Sequence, residues 1–415
     1  MVDRHRGGRA GAALSRQFSS LAEYNFRVFF IGQVVSLIGT WMQSVGLAWL
    51  VLQLTSSELA VGFVTALQFL PMMLFALVGG VLADRLPKRR TLVIVQTAAL
   101  LQAAVLGVLV LANAATLWEV YVLAFASGLT SAIERPTRQS YFFELVGKDR
   151  LPNAVALHST ILNGSRVLGP AIAGVLIATV GVASTFLFNA VSYLAVLWGY
   201  ALIRQEDLHE PTHERSSGNV FRQISEGLSY AVHSRSTLFV FILLAFVGTF
   251  GYNFTVVIPL LARFVLNVGP ARFGLLTSFL GLGSFAAALA VAGAGPRSER
   301  FLIVSALAFS AFFGILAVSH SYLLTAASLL LVGAAGTAFM TTANTTVQLL
   351  APPHLRGRIV SIYLLLMAGS TPIGGFLTGA LGGWLGVRWA LGIEAVLCLL
   401  GVAVAWPFRS RHAPP

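Results

Sequence analysis

Acidic residues are the scarcest chemistry in this chain. Asp and Glu together number 15 among 415 residues, and all charged residues make up 10%. A soluble domain carries roughly 25%, so a conventional water-facing globular surface is excluded. Cysteine is nearly absent as well: Cys398 stands alone inside an apolar run. That excludes an internal disulfide framework and leaves a small packing residue. Neither a Gly-x-Ser-x-Gly nucleophile elbow nor a Gly-x4-Gly-Lys-Ser/Thr phosphate loop occurs, so neither an enzyme of those types nor an ATP-driven pump is expected. No cofactor and no metal is expected either.

What fills the chain is apolar. Hydrophobic residues make up 57% and mean hydropathy is +0.82, the balance of an integral membrane protein with many spans. Twelve windows qualify: 26–52, 59–83, 91–112, 117–138, 152–180, 183–203, 238–262, 272–293, 300–318, 321–345, 357–383 and 387–406. Only helices or closed barrels satisfy backbone groups in lipid, and runs this long must be helices. The first twenty residues are polar and basic, without the apolar core of a cleaved leader. The first span is therefore expected to serve as the insertion signal.

An even number of spans puts both ends on one face. Of the 27 Lys and Arg, 23 fall on that face, Arg263, Arg272 and Arg388 fall on the other, and Arg166 lies inside a span. By the positive-inside rule both termini are cytoplasmic. The asymmetry accounts for the net charge of +12 through the lipid bilayer, and no nucleic acid is expected as a partner.

The longest connection divides the spans six and six. The expected organisation is a tail at 1–22, a six-helix bundle at 23–203, a cytoplasmic linker at 204–237, a second bundle at 238–408 and a tail at 409–415. Within the linker, Val220, Phe221, Ile224, Leu228 and Val232 share one helical face. That helix either lies on the membrane surface or packs on the bundle. The halves echo each other. ELVGKDRLPNAVALHS precedes span five and QLLAPPHLRGRIVSIY precedes span eleven, about 200 residues later, as a duplicated six-span unit requires.

Between spans two and three, GGVLADRLPKRR packs Asp84, Arg85, Lys88, Arg89 and Arg90 into seven positions. The bases alone suit equally a functional contact and a topological role, holding the loop in the cytoplasm and touching anionic lipid. Asp84 is not explained that way, because acids contribute little to topology. Span five carries GSRVLGPAIAG, where Gly164, Gly169, Pro170 and Gly174 allow close helix approach and Pro170 allows a kink. Arg166 lies roughly 20 Å into that span. A charge at such depth is expensive and marks either a functional site or a structural pairing within the bundle.

GVLADRLPKRR resembles the signature loop of the major facilitator superfamily, Gly-x-Leu-Ala-Asp-Arg-x-Gly-Arg-Lys. Gly80, Leu82, Ala83, Asp84, Arg85, Lys88 and Arg89 fit, and Pro87 stands where a glycine is usual. FRVFFIGQVVSLIGTWMQSVGLAWLVLQLT, ERPTRQSYFFELV and RLPNAVALHSTILNGSRVLGPAIAG resemble the branch of enterobactin-exporter-like and macrolide-efflux-like drug:proton antiporters. The resemblance covers nearly the whole chain. It implies an all-α membrane protein of twelve transmembrane helices in two six-helix bundles, with a substrate site between them and alternating access by rocking.

The same resemblance implies a cytoplasmic gate built from Gly80, Asp84, Arg85, Lys88, Arg89 and Glu134. Asp84 would face the N-terminus of span eleven near Leu355 to Arg358, where the helix dipole stabilises a carboxylate. Arg85 and its neighbours would pair with Glu134. GSRVLGPAIAG is similar to the antiporter motif of exporters, giving Arg166, Gly169, Pro170 and Gly174. Spans one, four, seven and ten would line the path with Gln33, Ser36, Thr40, Gln43, Thr130, Asn253, Thr341 and Asn344. Taken singly, each of these residues also suits interhelical hydrogen bonding.

The expected function is secondary active transport: proton-coupled export of an amphipathic small molecule, a drug or a siderophore, by a monomer in the plasma membrane. An uptake carrier and a non-transporting protein of the same fold are the alternatives. Proton carriers are scarce, and Glu134 and Glu119 are the candidates. Glu394 lies in a peripheral span, and His158 and His233 lie near the cytoplasmic surface.

Overall fold

The computed structural model describes residues 18–209, 228–292, 298–352 and 355–409, apart from the side chains of 76–78, 81, 83, 84 and 292. Span one is the helix Tyr24–Thr55, ended by Ser56 in the left-handed region at φ 47°. Span two, Glu58–Arg85, starts on the Ser57 hydroxyl, which accepts the Ala60 N–H at 3.3 Å and so satisfies one of the free donors of the first turn. Leu86 and Pro87 alone separate it from span three, Lys88–Leu111. Proline disfavours a helical residue before it, and the turn is correspondingly short.

The loop expected between spans four and five is absent. One helix, Leu117–Thr179, carries both spans and leaves helical geometry only at Gly147, at φ 68° and ψ −178°. Thr116 and Glu119 close its first turn as a capping box. Helix persists past residue 138 because Tyr141, Phe142, Leu145 and Val146 bury in one cluster with Phe26, Phe29 and Tyr200. Gly147 supplies the positive φ that other residues avoid, and the ring of His209 covers the space a side chain would need.

Span six is Ala183–Leu202. Span seven is interrupted. Helices Arg235–Phe246 and Phe254–Leu260 are each followed by a π-helical turn, Val247–Gly251 and Leu261–Val265. Such turns open one backbone bond and concentrate at functional positions. Spans eight to twelve are Pro270–Ala292, Glu299–Val318, Tyr322–Leu350, Arg356–Leu385 and Val387–Ala405. The described residues therefore make twelve crossings, and both described ends lie on one face, called here the basic face. Of the linker, 228–233 is helical, with Ala231 buried, Leu228 and Val232 exposed, and the Tyr230 hydroxyl donating to Leu350 O at 3.3 Å. Val220, Phe221 and Ile224 lie outside the described residues.

Spans one to six pack among themselves and spans seven to twelve do likewise; the main contacts between these bundles are span two on span eleven and span five on span eight. Glycine makes both seams. A Cβ on Gly62 would stand 2.6 Å from the Gly375 carbonyl oxygen and 2.9 Å from the Gly379 Cα. A Cβ on Gly174 would stand 2.8 Å from Pro270 O, and one on Gly281 2.6 Å from Arg166 O. Gly274 leaves no room for a Cβ against Pro170 O. Without a hydrophobic force between helices in lipid, such backbone-to-backbone approach is what holds them. The Ser278 hydroxyl adds a hydrogen bond to Val167 O at 2.7 Å. Ring contacts reinforce the seams toward the face opposite the basic one, Trp49 on Phe273 at 5.7 Å and Phe63 on Phe376 at 6.4 Å.

Two glycines of the span-five motif should therefore respond differently to alanine. Gly174→Ala forces the seam apart and should lower thermal stability in detergent by roughly 1–3 kcal/mol, as overpacking does. Gly164, where a Cβ meets nothing within 4 Å, should tolerate alanine without loss, helped by up to about 1 kcal/mol of helix propensity. Equal melting shifts for the two variants would contradict the seam.

Candidate functional site

A cavity of about 630 Å3 lies between the bundles, within the size range of drug-like ligand sites. Helical periodicity places its wall. Gln33, Ser36, Thr40, Trp41 and Ser44 form one face of span one. Thr130, Glu134 and Arg138 recur every four residues on span four, and Val155, Ser159, Leu162 and Arg166 follow at helical spacings of four, three and four on span five. The second bundle contributes Tyr252, Phe254 and Thr255 beside the break in span seven, Phe273, Thr277 and Leu280 from span eight, and Thr371 from span eleven.

One side of the wall is a polar network. Glu134 pairs with Arg138 at 2.9 Å, each side chain only 14% exposed. Arg138 also donates to Gln33 Oε1 at 3.2 Å, and Gln96 Nε2 reaches Glu134 Oε1 at 3.5 Å. Arg166 lies over the Trp41 ring, its guanidinium carbon 5.1 Å from the centroid, a cation–π contact. Arg135 donates to the Met72 sulfur at 3.3 Å. Four buried polar atoms on the wall have no hydrogen-bond partner among the described residues: Gln33 Nε2, Gln96 Oε1, His158 Nε2 and Arg166 Nε. Buried polar groups are nearly always paired, so a concentration of unpaired ones marks a place built for a ligand or water.

The structure brings some expected site residues together and separates others. Gln33, Ser36, Thr40, Thr130, Glu134 and Arg166 line the cavity. Gln43 does not. It ties spans one, three and six together, donating to Gln102 Oε1 at 3.1 Å and accepting from Asn189 at 2.6 Å. Asn253 is fully buried and donates to Thr249 O at 2.6 Å, against Gly374. Span ten adds nothing to the wall: Thr341 is exposed, and Asn344 accepts from Gln348 at 3.0 Å. Glu119 holds its own helix cap, 2.6 Å from the Thr116 N–H. Glu394 is buried against Thr378 at 2.5 Å, between spans eleven and twelve.

The bases at the start of span three meet other partners than expected. Lys88 pairs with Glu144 at 2.6 Å, and Arg89 donates to Tyr200 O at 2.9 Å and Ala201 O at 3.4 Å at the end of span six. Glu134 is out of their reach because it sits ten residues from Glu144, roughly 15 Å deeper along the same helix. Arg85 is exposed, and the Asp84 side chain lies outside the described residues. Gly80 faces open space, whereas Gly79 leaves no room for a Cβ against Ala132 O. Gly169 seats span five on span one, where a Cβ would stand 2.6 Å from the Trp41 Cβ, and Pro170 is buried.

Arg135 and Arg138 count in the sequence as charges of the basic face. The structure has both on the cavity wall, because span four does not end at residue 138. The string HEPTH at 209–213 has the spacing of a zinc-protease pair. His209 is not helical and its ring covers Gly147; residues 210–213 lie outside the described residues. Among those described, no group of His, Cys, Asp and Glu is placed to hold a metal.

The model of a family described as transmembrane secretion effector matches residues 15–413. The staphyloferrin A transporter of Staphylococcus aureus (strain NCTC 8325 / PS 47) is 27% identical over 358 residues, covering 85% of this chain and 88% of that protein. The multidrug efflux pump Tap of Mycolicibacterium fortuitum is 26% identical over 384 residues, covering 90% and 93%. Among solved structures, the crystal structure of the nucleoside transporter NupG is similar at a TM-score of 0.73 and 12% identity, covering 93% of this chain and 99% of that one, a likeness of fold.

The Lys88–Glu144 pair ties span three to the extension of span four within the first bundle. A double-mutant cycle of Lys88→Met and Glu144→Gln, read by thermal unfolding, should give a coupling of about 0.5–3 kcal/mol. Additive single effects would show that the pair holds nothing.

Proposed function

We propose that this chain, which belongs to the transmembrane secretion effector family of the major facilitator superfamily, is a proton-driven exporter of amphipathic small molecules. It is a multi-pass membrane transporter, and its bacterial relatives imply the plasma membrane. The basic face is assigned to the cytoplasm by the positive-inside rule. The observation that carries the reading is the cavity itself. It combines an aromatic wall with a cluster of buried polar groups, and it sits between two bundles whose glycine seams lie toward the opposite face. A multidrug efflux pump among the relatives supports export over uptake.

Coupling is assigned to Glu134, the one carboxylate on the cavity wall among the described residues. Ionised, it holds Arg138; protonated, it releases Arg138. Proton and substrate then share one chamber, and each state of the acid offers the substrate a different wall. That differential is what a two-state carrier needs to exchange one ligand for another. In the opposite state the basic face must close. Span eleven begins at Arg356, and Leu355 makes no side-chain cap to its first turn; the N-terminal end of a helix favours a carboxylate through the dipole. Asp84, in the last turn of span two, is assigned to that contact.

In energised inside-out vesicles, adding a transported lipophilic drug should release protons, read by a pH-sensitive dye. Glu134→Gln should abolish drug-evoked release while the protein still inserts and binds the drug. Unchanged release in Glu134→Gln would remove Glu134 from the coupling. No release with any compound in the intact protein would contradict proton-driven export.

A further inference from the structure

The charge on the cavity wall is unbalanced. Three guanidinium groups face it, Arg135, Arg138 and Arg166, against the single carboxylate of Glu134. Glu134 is taken up by Arg138 at 2.9 Å. The other two have no oxygen acceptor among the described residues. Arg135 reaches only the Met72 thioether at 3.3 Å, a weak acceptor, and Arg166 rests on Trp41 with its Nε buried and unpaired. Arg135 is exposed and adds its charge to the open cavity, whereas Arg166 is part-buried; burying a charge without a partner is costly, and a membrane interior keeps such a residue where something else completes it. The remaining unpaired groups point the same way. Gln33 Nε2 is a donor, His158 Nε2 is a donor in one tautomer, and Gln96 Oε1 is the lone acceptor. The site is rich in donors and poor in acceptors.

The rest of the wall is aromatic, with Trp41, Phe69, Tyr252, Phe254 and Phe273 beside the arginines. A guanidinium presents a planar fork that matches a carboxylate through two parallel hydrogen bonds. We propose that the substrate is an amphipathic organic acid, held by its carboxylate on Arg135 and Arg166 with its apolar body against these rings. This deepens the export reading above and rests on the same cavity. It sets the protein apart from a carrier of lipophilic cations, which two unneutralised guanidinium groups would repel.

The test separates charge preference from transport. Purified protein in nanodiscs is titrated with deoxycholate, ibuprofen and dodecanoate, each beside its own methyl ester, and with tetraphenylphosphonium as the cation. Binding is read by tryptophan fluorescence and checked by thermal shift. For at least one pair the acid should bind about tenfold more tightly than its ester, the order expected of one charge-assisted hydrogen bond, and the cation should bind more weakly than the acid. Arg166→Gln and Arg135→Gln should each erase most of that preference, and Arg166→Lys should keep part of it. All variants are checked for an unchanged elution profile, and the ester, which still binds, shows that the cavity survives.

Equal binding of acids and esters, tighter binding of the cation, a preference that persists in both glutamine variants, or no binding by any acid overturns the inference. Transport of the acids in vesicles is then scored separately. Acids bound but not moved would sink export and leave the charge assignment. Drugs exported only as cations would do the reverse.

Discussion

Everything in this structure hangs on how closely two pairs of helices can approach. Lipid supplies no hydrophobic force between spans, so the bundles hold each other through backbone contact at glycines. Gly62 meets Gly375 and Gly379, while Gly174 and Gly274 meet each other beside Pro170. These contacts run from mid-membrane toward the face opposite the basic one. The cavity follows from that placement, since two bundles joined toward one face diverge toward the other. Small residues also leave few interlocking side chains, so a seam of this kind can separate without unpacking a core.

Scarcity of charge is the second constraint, and it gives the remaining charges meaning. With 15 acids in the whole chain, a pairing such as Glu134 with Arg138 is not background. Neither is the absence, among the described residues, of an acid paired with Arg166. The bases at the start of span three are used differently: Lys88 and Arg89 fasten span three to the spans four–five helix and to span six. That stiffens the first bundle as one body, which a rocking motion requires. Residues that read in the sequence as topological thus also fasten helices to one another.

The twelve spans were legible from hydropathy alone, because lipid allows helices and little else. The resemblance carried by GVLADRLPKRR and the span-five motif led to the family that residues 15–413 match. What stayed hidden depended on tertiary contact. The stretch after residue 138 reads as a charged loop, and only the burial of Tyr141, Phe142 and Leu145 keeps it helical and carries Arg135 and Arg138 into the cavity. Gly79 rather than Gly80 makes the close approach to span four, a one-residue difference that a motif cannot resolve without a helix to face. The polar faces of spans one and four lie on the cavity and that of span ten does not, because periodicity marks a face without saying what it faces. Gln43, at the right spacing on span one, is consumed by Gln102 and Asn189.

The central claim is that the seams open when the carrier turns over. Spin labels at Ser56→Cys and Gly383→Cys, in a Cys398→Ser background, bracket the seam between spans two and eleven at its end away from the basic face. Pulsed electron resonance would measure their separation in nanodiscs at high and low pH, with and without a transported compound. The account predicts one short distance in this state and a second, longer population that grows with the change of pH and with bound compound. A single short distance under every condition, in protein that still transports, would contradict it.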